Sequence, residues 1–209
     1  MGYDSKHIDI KWAEEWYNNV ANDYHKYHTL LDNFDQWMFK RFLPRDGKQL
    51  NIIDLWAGDG RLYKHLQKLP HKKYVACDIA EKLLKRHPWT RNIEKVVCNL
   101  NGSLPFEDNS FDLATTFFVL EHLENLENIF SEVERILVPG GRRIIGHFLQ
   151  RREFLRKTTA ENFKIEFYNH RLQEIEELAR IHFWNIDVFP VKEKDDTIWH
   201  IILIEKTRN

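Results

Sequence analysis

The chain has 209 residues, a formal net charge of −1, 43% hydrophobic residues and 13% aromatic residues. That size and composition predict one domain with a sizeable core and argue against disorder. The charge balance supplies no overall basic field for nucleic acid, and no stretch approaches the length needed to span a membrane. Met1 to Ile10 has no apolar signal core, so a cytoplasmic protein is expected. Cys77 and Cys98 each sit in an apolar, strand-like run. Two reduced core thiols are expected, with no disulfide framework and no zinc site.

In chain order, Trp12, Trp16, Val20, Tyr24, Tyr27 and Leu31 recur at helical spacing, which predicts a helix or helix pair over Ile10 to Leu31. Phe34, Trp37, Met38 and Phe42 mark a second helix, ended by the turn residues Pro44-Arg45-Asp46-Gly47. Next comes Asn51-Ile52-Ile53-Asp54-Leu55-Trp56-Ala57-Gly58-Asp59-Gly60-Arg61-Leu62, the most informative stretch. It reads as a buried strand, a glycine turn and the start of a helix. A phosphate loop needs Lys-Ser/Thr after the last glycine, but Arg61-Leu62 stands there. A dinucleotide fingerprint needs a third glycine where Tyr63 stands. S-adenosylmethionine (SAM) carries no phosphate and needs close backbone and carboxylates, which Asp54 and Gly58-Asp59-Gly60 offer.

A short helix over Arg61 to Lys68 stops at Pro70, and Tyr74-Val75-Ala76-Cys77-Asp78 is a strand ending in a carboxylate. Asp78 follows the glycine turn by roughly 20 residues, the spacing of a ribose-binding carboxylate in nucleotide-binding α/β folds. Its two oxygens suit two vicinal hydroxyls. The alternative is an N-cap for the helix Glu81 to His87. Lys95 to Cys98 is a third strand, followed by Asn99-Leu100-Asn101-Gly102-Ser103-Leu104-Pro105-Phe106. Asp112 to Phe118 is a fourth, leading into Val119-Leu120-Glu121-His122-Leu123. His122 titrates near ~6.5 when unperturbed, which suits a base at neutral pH. The alternative is a histidine that packs or caps the next helix, and Glu121 stands in a similar position. Leu126 to Leu137 carries Ile129, Phe130, Val133 and Ile136 on one helical face, and Val138-Pro139-Gly140-Gly141 stops it. Arg143 to Phe148 is a fifth strand. Leu149 to Tyr168 is polar and basic, with Arg151, Arg152, Arg156 and Lys157. It reads as a solvated helix face or a site for an anionic substrate. A helix over Arg171 to Ile181 and strands over Trp184 to Phe189 and Trp199 to Ile204 complete the chain.

Asp54-Leu55-Trp56-Ala57-Gly58-Asp59-Gly60-Arg61 resembles motif I of the class I SAM-dependent methyltransferases. The strand ending at Asp78, the Leu104-Pro105-Phe106 and Asn109-Ser110-Phe111-Asp112 run, Glu121-His122-Leu123 and Pro139-Gly140-Gly141 match that family in order, over Asn51 to Gly146. The resemblance implies an α/β fold: one Rossmann-like, doubly wound, seven-stranded sheet, mostly parallel, with an antiparallel edge hairpin and helices on both faces. It implies a single domain over 1–209, with a helical cap over 1–46, a SAM-binding core over 50–148 and a variable substrate segment with the final hairpin over 149–209. It also implies methyl transfer from SAM, leaving S-adenosylhomocysteine. The cofactor-binding residues expected from it are Asp54, Trp56, Ala57, Gly58, Gly60, Asp78, Ile79 on the adenine face, Asn99, Leu100 and Phe117. His122 is the catalytic candidate, and Tyr17, Tyr24 and His147 are the substrate-side candidates. No metal is expected.

The chain departs from the family pattern twice. Trp56 stands where the family usually has glycine, and Asn99 where it usually has aspartate. These departures keep open a methyltransferase-like regulatory or interaction protein without catalysis, and a nicotinamide-dependent oxidoreductase remains as a third class. A small-molecule O or N acceptor is expected. Nucleic acid is disfavoured by the charge and by the lack of an Asn/Asp-Pro-Pro-aromatic motif after the fourth strand. A monomer or a dimer is equally compatible.

Overall fold

The computed structural model describes residues 10–25, 41–44, 46–148, 154–157, 162–165, 168–183, 185–193 and 195–207. Most of the second N-terminal helix read from sequence, with Phe34, Trp37 and Met38, lies outside these, as do Tyr27, Arg151, Arg152 and Trp184, whereas its Phe42 is helical. The helix α1 (Ile10–Val20) comes first. Then follow β1 (Leu50–Leu55), α2 (Tyr63–Leu66), β2 (His71–Asp78), α3 (Glu81–Arg86), β3 (Ile93–Val97) and β4 (Phe111–Phe117). A 3-10 turn (Leu120–His122), α4 (Glu127–Ile136), β5 (Leu137–Phe148), β6 (Phe154–Lys157), β7 (Asn162–Ile165), α5 (Leu172–His182), β8 (Asn185–Glu193) and β9 (Asp196–Glu205) complete it.

The sheet order is β3-β2-β1-β4-β5-β9-β8. The first five strands are parallel, and β9 lies antiparallel to both β5 and β8. This is the expected mixed, doubly wound sheet. Strand order reverses between β1 and β4, so the crevice above their carboxyl ends is where such a sheet binds ligands.

Alternation along each strand divides the core. Ile53, Leu55, Val75, Ala114, Ile145 and Ile202 face Ile129, Phe130 and Val133 of α4 and Ile175 and Ala179 of α5. Ile52, Tyr74, Leu113, Phe117 and Ile144 cluster on the other face with Leu62, Leu66 and Leu84. Each fully buried aliphatic side chain of this kind contributes ~1.5–3 kcal/mol relative to exposure. Helix α1 packs Ala13, Trp16 and Tyr17 against Ala80 and Leu83 at the start of α3.

Three local readings are corrected. The Pro139-Gly140-Gly141 stretch does not separate helix from strand, because α4 ends at Ile136 and β5 begins at Leu137. Phe111 pairs with Leu137 and Leu113 with Arg142, so the extra residues are absorbed as an irregularity inside β5. Gly140 takes φ 75° there, and a Cβ on Gly141 would meet the Val138 carbonyl at 2.8 Å. The basic segment contains an antiparallel pair, β6 with β7, rather than a solvated helix. Phe163 and Ile165 alternate with Asn162 and Lys164, a period of two that suits a strand. Finally, Cys77 and Cys98 form a disulfide with Cα atoms 5.9 Å apart, replacing the expected pair of free thiols. Adjacent parallel strands bring them together: the Cys98 amide donates to the Asp78 carbonyl, one residue beyond Cys77.

Candidate active site

The turn after β1 is built on the end of β2. The amides of Trp56 and Ala57 both donate to the Cys77 carbonyl, at 2.7 and 3.0 Å, and the Gly60 amide donates to the Ala57 carbonyl at 3.1 Å. Gly58 and Gly60 take φ 58° and 93°, the left-handed region that glycine enters freely. A Cβ on Gly60 would stand 2.6 Å from Pro88 Cδ. On Gly58 it would meet only Tyr24 Cε1, at 3.6 Å, among the described residues. Gly60 is therefore needed for packing, whereas Gly58 leaves backbone open to a ligand atom.

Asp54 and Asp78 differ in what holds them. Asp54 is fully buried, and its carboxylate accepts from Thr115 Oγ1 at 2.6 Å and from the Tyr74 hydroxyl at 3.0 Å. It ties β1 to β4 and β2 directly under the crevice. Asp78 accepts from the Gly58 amide at 2.8 Å through one oxygen and from the Ala80 amide at 2.8 Å through the other. It thus fixes the glycine turn and opens α3 at once. Burial pushes its carboxyl from 3.8 up to about 7, and the Ala80 and Gly58 amides oppose that only in part. Each oxygen retains a lone pair for a further donor. Beyond it, Ile79 and Leu100 are buried and Asn99 is exposed. Asn99 Oδ1 accepts from the Asn101 amide at 2.9 Å.

The aromatic residues singled out in the sequence converge. The Tyr17 hydroxyl and His122 Nε2 are 2.9 Å apart, hydrogen-bonded. The Trp56 indole stacks on the His122 ring at 5.2 Å, and Tyr17 stands edge-on to Trp56 at 5.4 Å and to Tyr24 at 5.7 Å. Trp56 holds φ 77°, a conformation costly for a side-chain-bearing residue. Phe117, buried at the end of β4, lies against Gly146, where a Cβ would meet its ring.

His147 is not part of that group. It sits at the carboxyl end of β5, 1% exposed, with Nδ1 3.6 Å from Glu121 Oε1. Thus His122 turns toward Tyr17 and Trp56, while its neighbour Glu121 turns toward His147. Sequence reasoning missed the partners here: Tyr74 and Thr115 on Asp54, and His200, which stands opposite His147 in the β5–β9 pairing. Strand alternation alone carried no signal for these, because all three sit in apolar runs and their partners come from other strands.

A family model described as a methyltransferase domain matches residues 53–145. A ubiquinone/menaquinone biosynthesis C-methyltransferase UbiE of Hahella chejuensis is 31% identical over 144 residues, covering 63% of this chain and 57% of that protein. A demethylmenaquinone methyltransferase of Lactococcus lactis is 29% identical over 146 residues, covering 65% of this chain and 58% of that protein. The chain thus spans less than two thirds of the length of these curated relatives. Among solved structures, a SAM-dependent methyltransferase of Thermotoga maritima, a possible histamine N-methyltransferase, superposes with a TM-score of 0.69. It covers 93% of this chain and 99% of its own, at 18% identity. The matched model, the motif order and the seven-stranded sheet agree: over residues 53–145 the chain is similar to the methyltransferase domain, on the fold of the SAM-dependent methyltransferases.

Proposed function

We propose that the chain binds SAM above β1 and β2 and transfers a methyl group to a ring carbon of a small hydroxylated aromatic molecule. The observation that carries the cofactor reading is Asp78, a buried carboxylate held by the Gly58 amide with capacity for further donors. Two vicinal ribose hydroxyls are such donors, and they favour the ionised form that burial alone disfavours. Ile79 flanks the adenine, with the Asn99 side chain and the Leu100 amide at its polar edge. Ala57, Gly58 and Gly60 give backbone contact. Trp56 and Phe117 border the methionine end, and Asp54 holds the strands beneath it.

When bound, the cofactor supplies an electrophilic methyl group on a sulfonium. The chain's own task is alignment, which contributes ~7–11 kcal/mol in well-oriented systems. Tyr17 and Tyr24 on the helical cap and His147 on β5 flank the acceptor. His122, with its Tyr17 partner, takes the proton released on transfer, a contribution of ~100- to 10,000-fold. The printed names of the relatives support carbon rather than oxygen or nitrogen as the acceptor atom. Among the described residues no helix is long and apolar enough to cross a membrane, which suits a small molecule brought to the site.

Calorimetric titration with SAM and S-adenosylhomocysteine tests the reading. Micromolar binding of both, followed by methylation of a reduced quinone, is expected. Absence of binding to either leaves a methyltransferase-like protein without catalysis.

A further inference from the structure

Methylating a ring carbon beside a hydroxyl moves two protons. One leaves the hydroxyl, so that the ionised oxygen enriches the carbon; the other leaves the carbon afterwards. The Tyr17–His122 pair serves one of them. We propose that His147, backed by Glu121, is the base that takes the hydroxyl proton of that acceptor. This rests on the methyltransferase reading above.

Four observations carry it. His147 is 1% exposed, yet neither ring nitrogen has a hydrogen-bond partner among the described residues. A buried imidazole left so is costly, and a bound donor relieves the cost. Its Nδ1 is 3.6 Å from Glu121 Oε1, within reach of an ion pair once the ring is protonated. The pair sits at the carboxyl edge, where the Phe118 amide donates to the Gly146 carbonyl and joins the ends of β4 and β5. Glu121 directly precedes His122, so one 3-10 turn carries both the partner of His147 and the partner of Tyr17.

The surroundings of His147 are mixed in charge. His200 stands opposite it on β9, with Nδ1 likewise without a hydrogen-bond partner among the described residues. Burial and the His147 ring hold His200 below its ordinary value, and Glu176 of α5 opposes them. Tyr168 donates its backbone amide to the Glu121 carbonyl. Glu121 is thus the carboxylate placed to offset an imidazolium at His147. In the step, the acceptor O–H bond breaks, its electron pair stays on oxygen, and the proton bonds to an imidazole nitrogen of His147. No oxidant or reductant is involved. An amine acceptor, which reacts through a neutral lone pair, makes less use of such a base.

The test uses 4-nitrocatechol, whose neutral and ionised forms differ in absorption, added to the full chain saturated with S-adenosylhomocysteine. The wild type is expected to hold the bound probe more ionised than in free solution at the same pH. His147→Gln should lower the phenolate-to-phenol ratio about tenfold, the equivalent of one pKa unit, with S-adenosylhomocysteine affinity unchanged. Glu121→Gln, nearly isosteric, should lower it by a smaller factor, and it serves if His147→Gln does not fold. Equal ionisation in the wild type and the folded variants overturns the proposal, as does failure of the probe to bind the loaded protein. Failure of S-adenosylhomocysteine itself to bind is a distinct result, which removes the methyltransferase reading and the proposal with it.

Discussion

The two carboxylates over one half of the sheet's carboxyl edge and the two histidines over the other are held differently. Over β1 and β2, Asp54 and Asp78 are surrounded by donors from the protein: Thr115, Tyr74, and the amides of Gly58 and Ala80. Over β5 and β9, His147 and His200 carry buried nitrogens without hydrogen-bond partners among the described residues, as does Arg143 further back along β5. Arg143 is fully buried, donates to Thr116 Oγ1 at 3.1 Å, and lies over the Phe130 ring at 4.6 Å, with burial lowering its pKa. The two carboxylates of the first half are already fixed by protein donors and keep lone pairs for a ligand, which suits one invariant cofactor. The second is left for a ligand to finish, which suits an acceptor that differs among relatives of one fold.

The sharpest way to break this contrast is Asp78→Ala. It removes the proposed ribose contact and strands two amides, so SAM affinity should fall by about 100-fold, roughly 2.7 kcal/mol, in calorimetry. An unchanged affinity would dissolve the distinction at its strongest point. Next in size is Asp54→Ala. It leaves the Tyr74 and Thr115 hydroxyls unpaired in the core and should cost about 2–3 kcal/mol in denaturant unfolding. The opposite sign is expected in the other half. Arg143→Met, which replaces a buried charge lacking an ionic partner among the described residues, should be neutral or stabilising by about 1–2 kcal/mol.

A pH series sharpens the contrast further. The Asp78 carboxyl titrates near 7 when folded and near 3.8 otherwise, so the native state holds the extra proton between these values. Through this group the free protein loses stability as pH rises from about 4 to about 7. Ribose hydroxyls need the ionised form, so SAM affinity should fall by up to about tenfold for each pH unit below 7, read by calorimetry. The smallest effect belongs to Tyr17→Phe, which removes one hydrogen bond to His122 and should cost about 1 kcal/mol of unfolding free energy.

The legible and the illegible parts of the sequence divide along the same line. The apolar run Ile52-Ile53, the Gly58-Asp59-Gly60 turn and Asp78 lie within one strand–turn–helix–strand unit, so their spacing reports their meeting. The buried β1 strand followed from such a local run, and the seven-stranded sheet from the family resemblance. The Tyr17–His122 bond spans 105 positions and the Asp54–Thr115 bond 61, and no local pattern encodes either. Glu121, His147 and His200 come from three elements that only the strand order unites. Trp56 was visible as an oddity, but its stacking on His122 depends on a left-handed backbone that hydrophobic patterning does not register. The β6–β7 pair was missed because basic residues in its first strand drew attention to charge rather than to alternation.

The placement of β9 between β5 and β8 also bears on how the chain is made. The strands β1 to β5 have all been synthesised once residue 148 is added, whereas the neighbour of β5 on its other side spans 196–205. At ~5–20 residues per second a ribosome needs roughly 3–11 s to cover that interval. Throughout it the β5 edge, with His147 near its end, has no strand beside it. A nascent chain can therefore pair β1 to β5 first while the outer edge of β5 stays open, a period in which a holdase or the arriving hairpin must cover that edge.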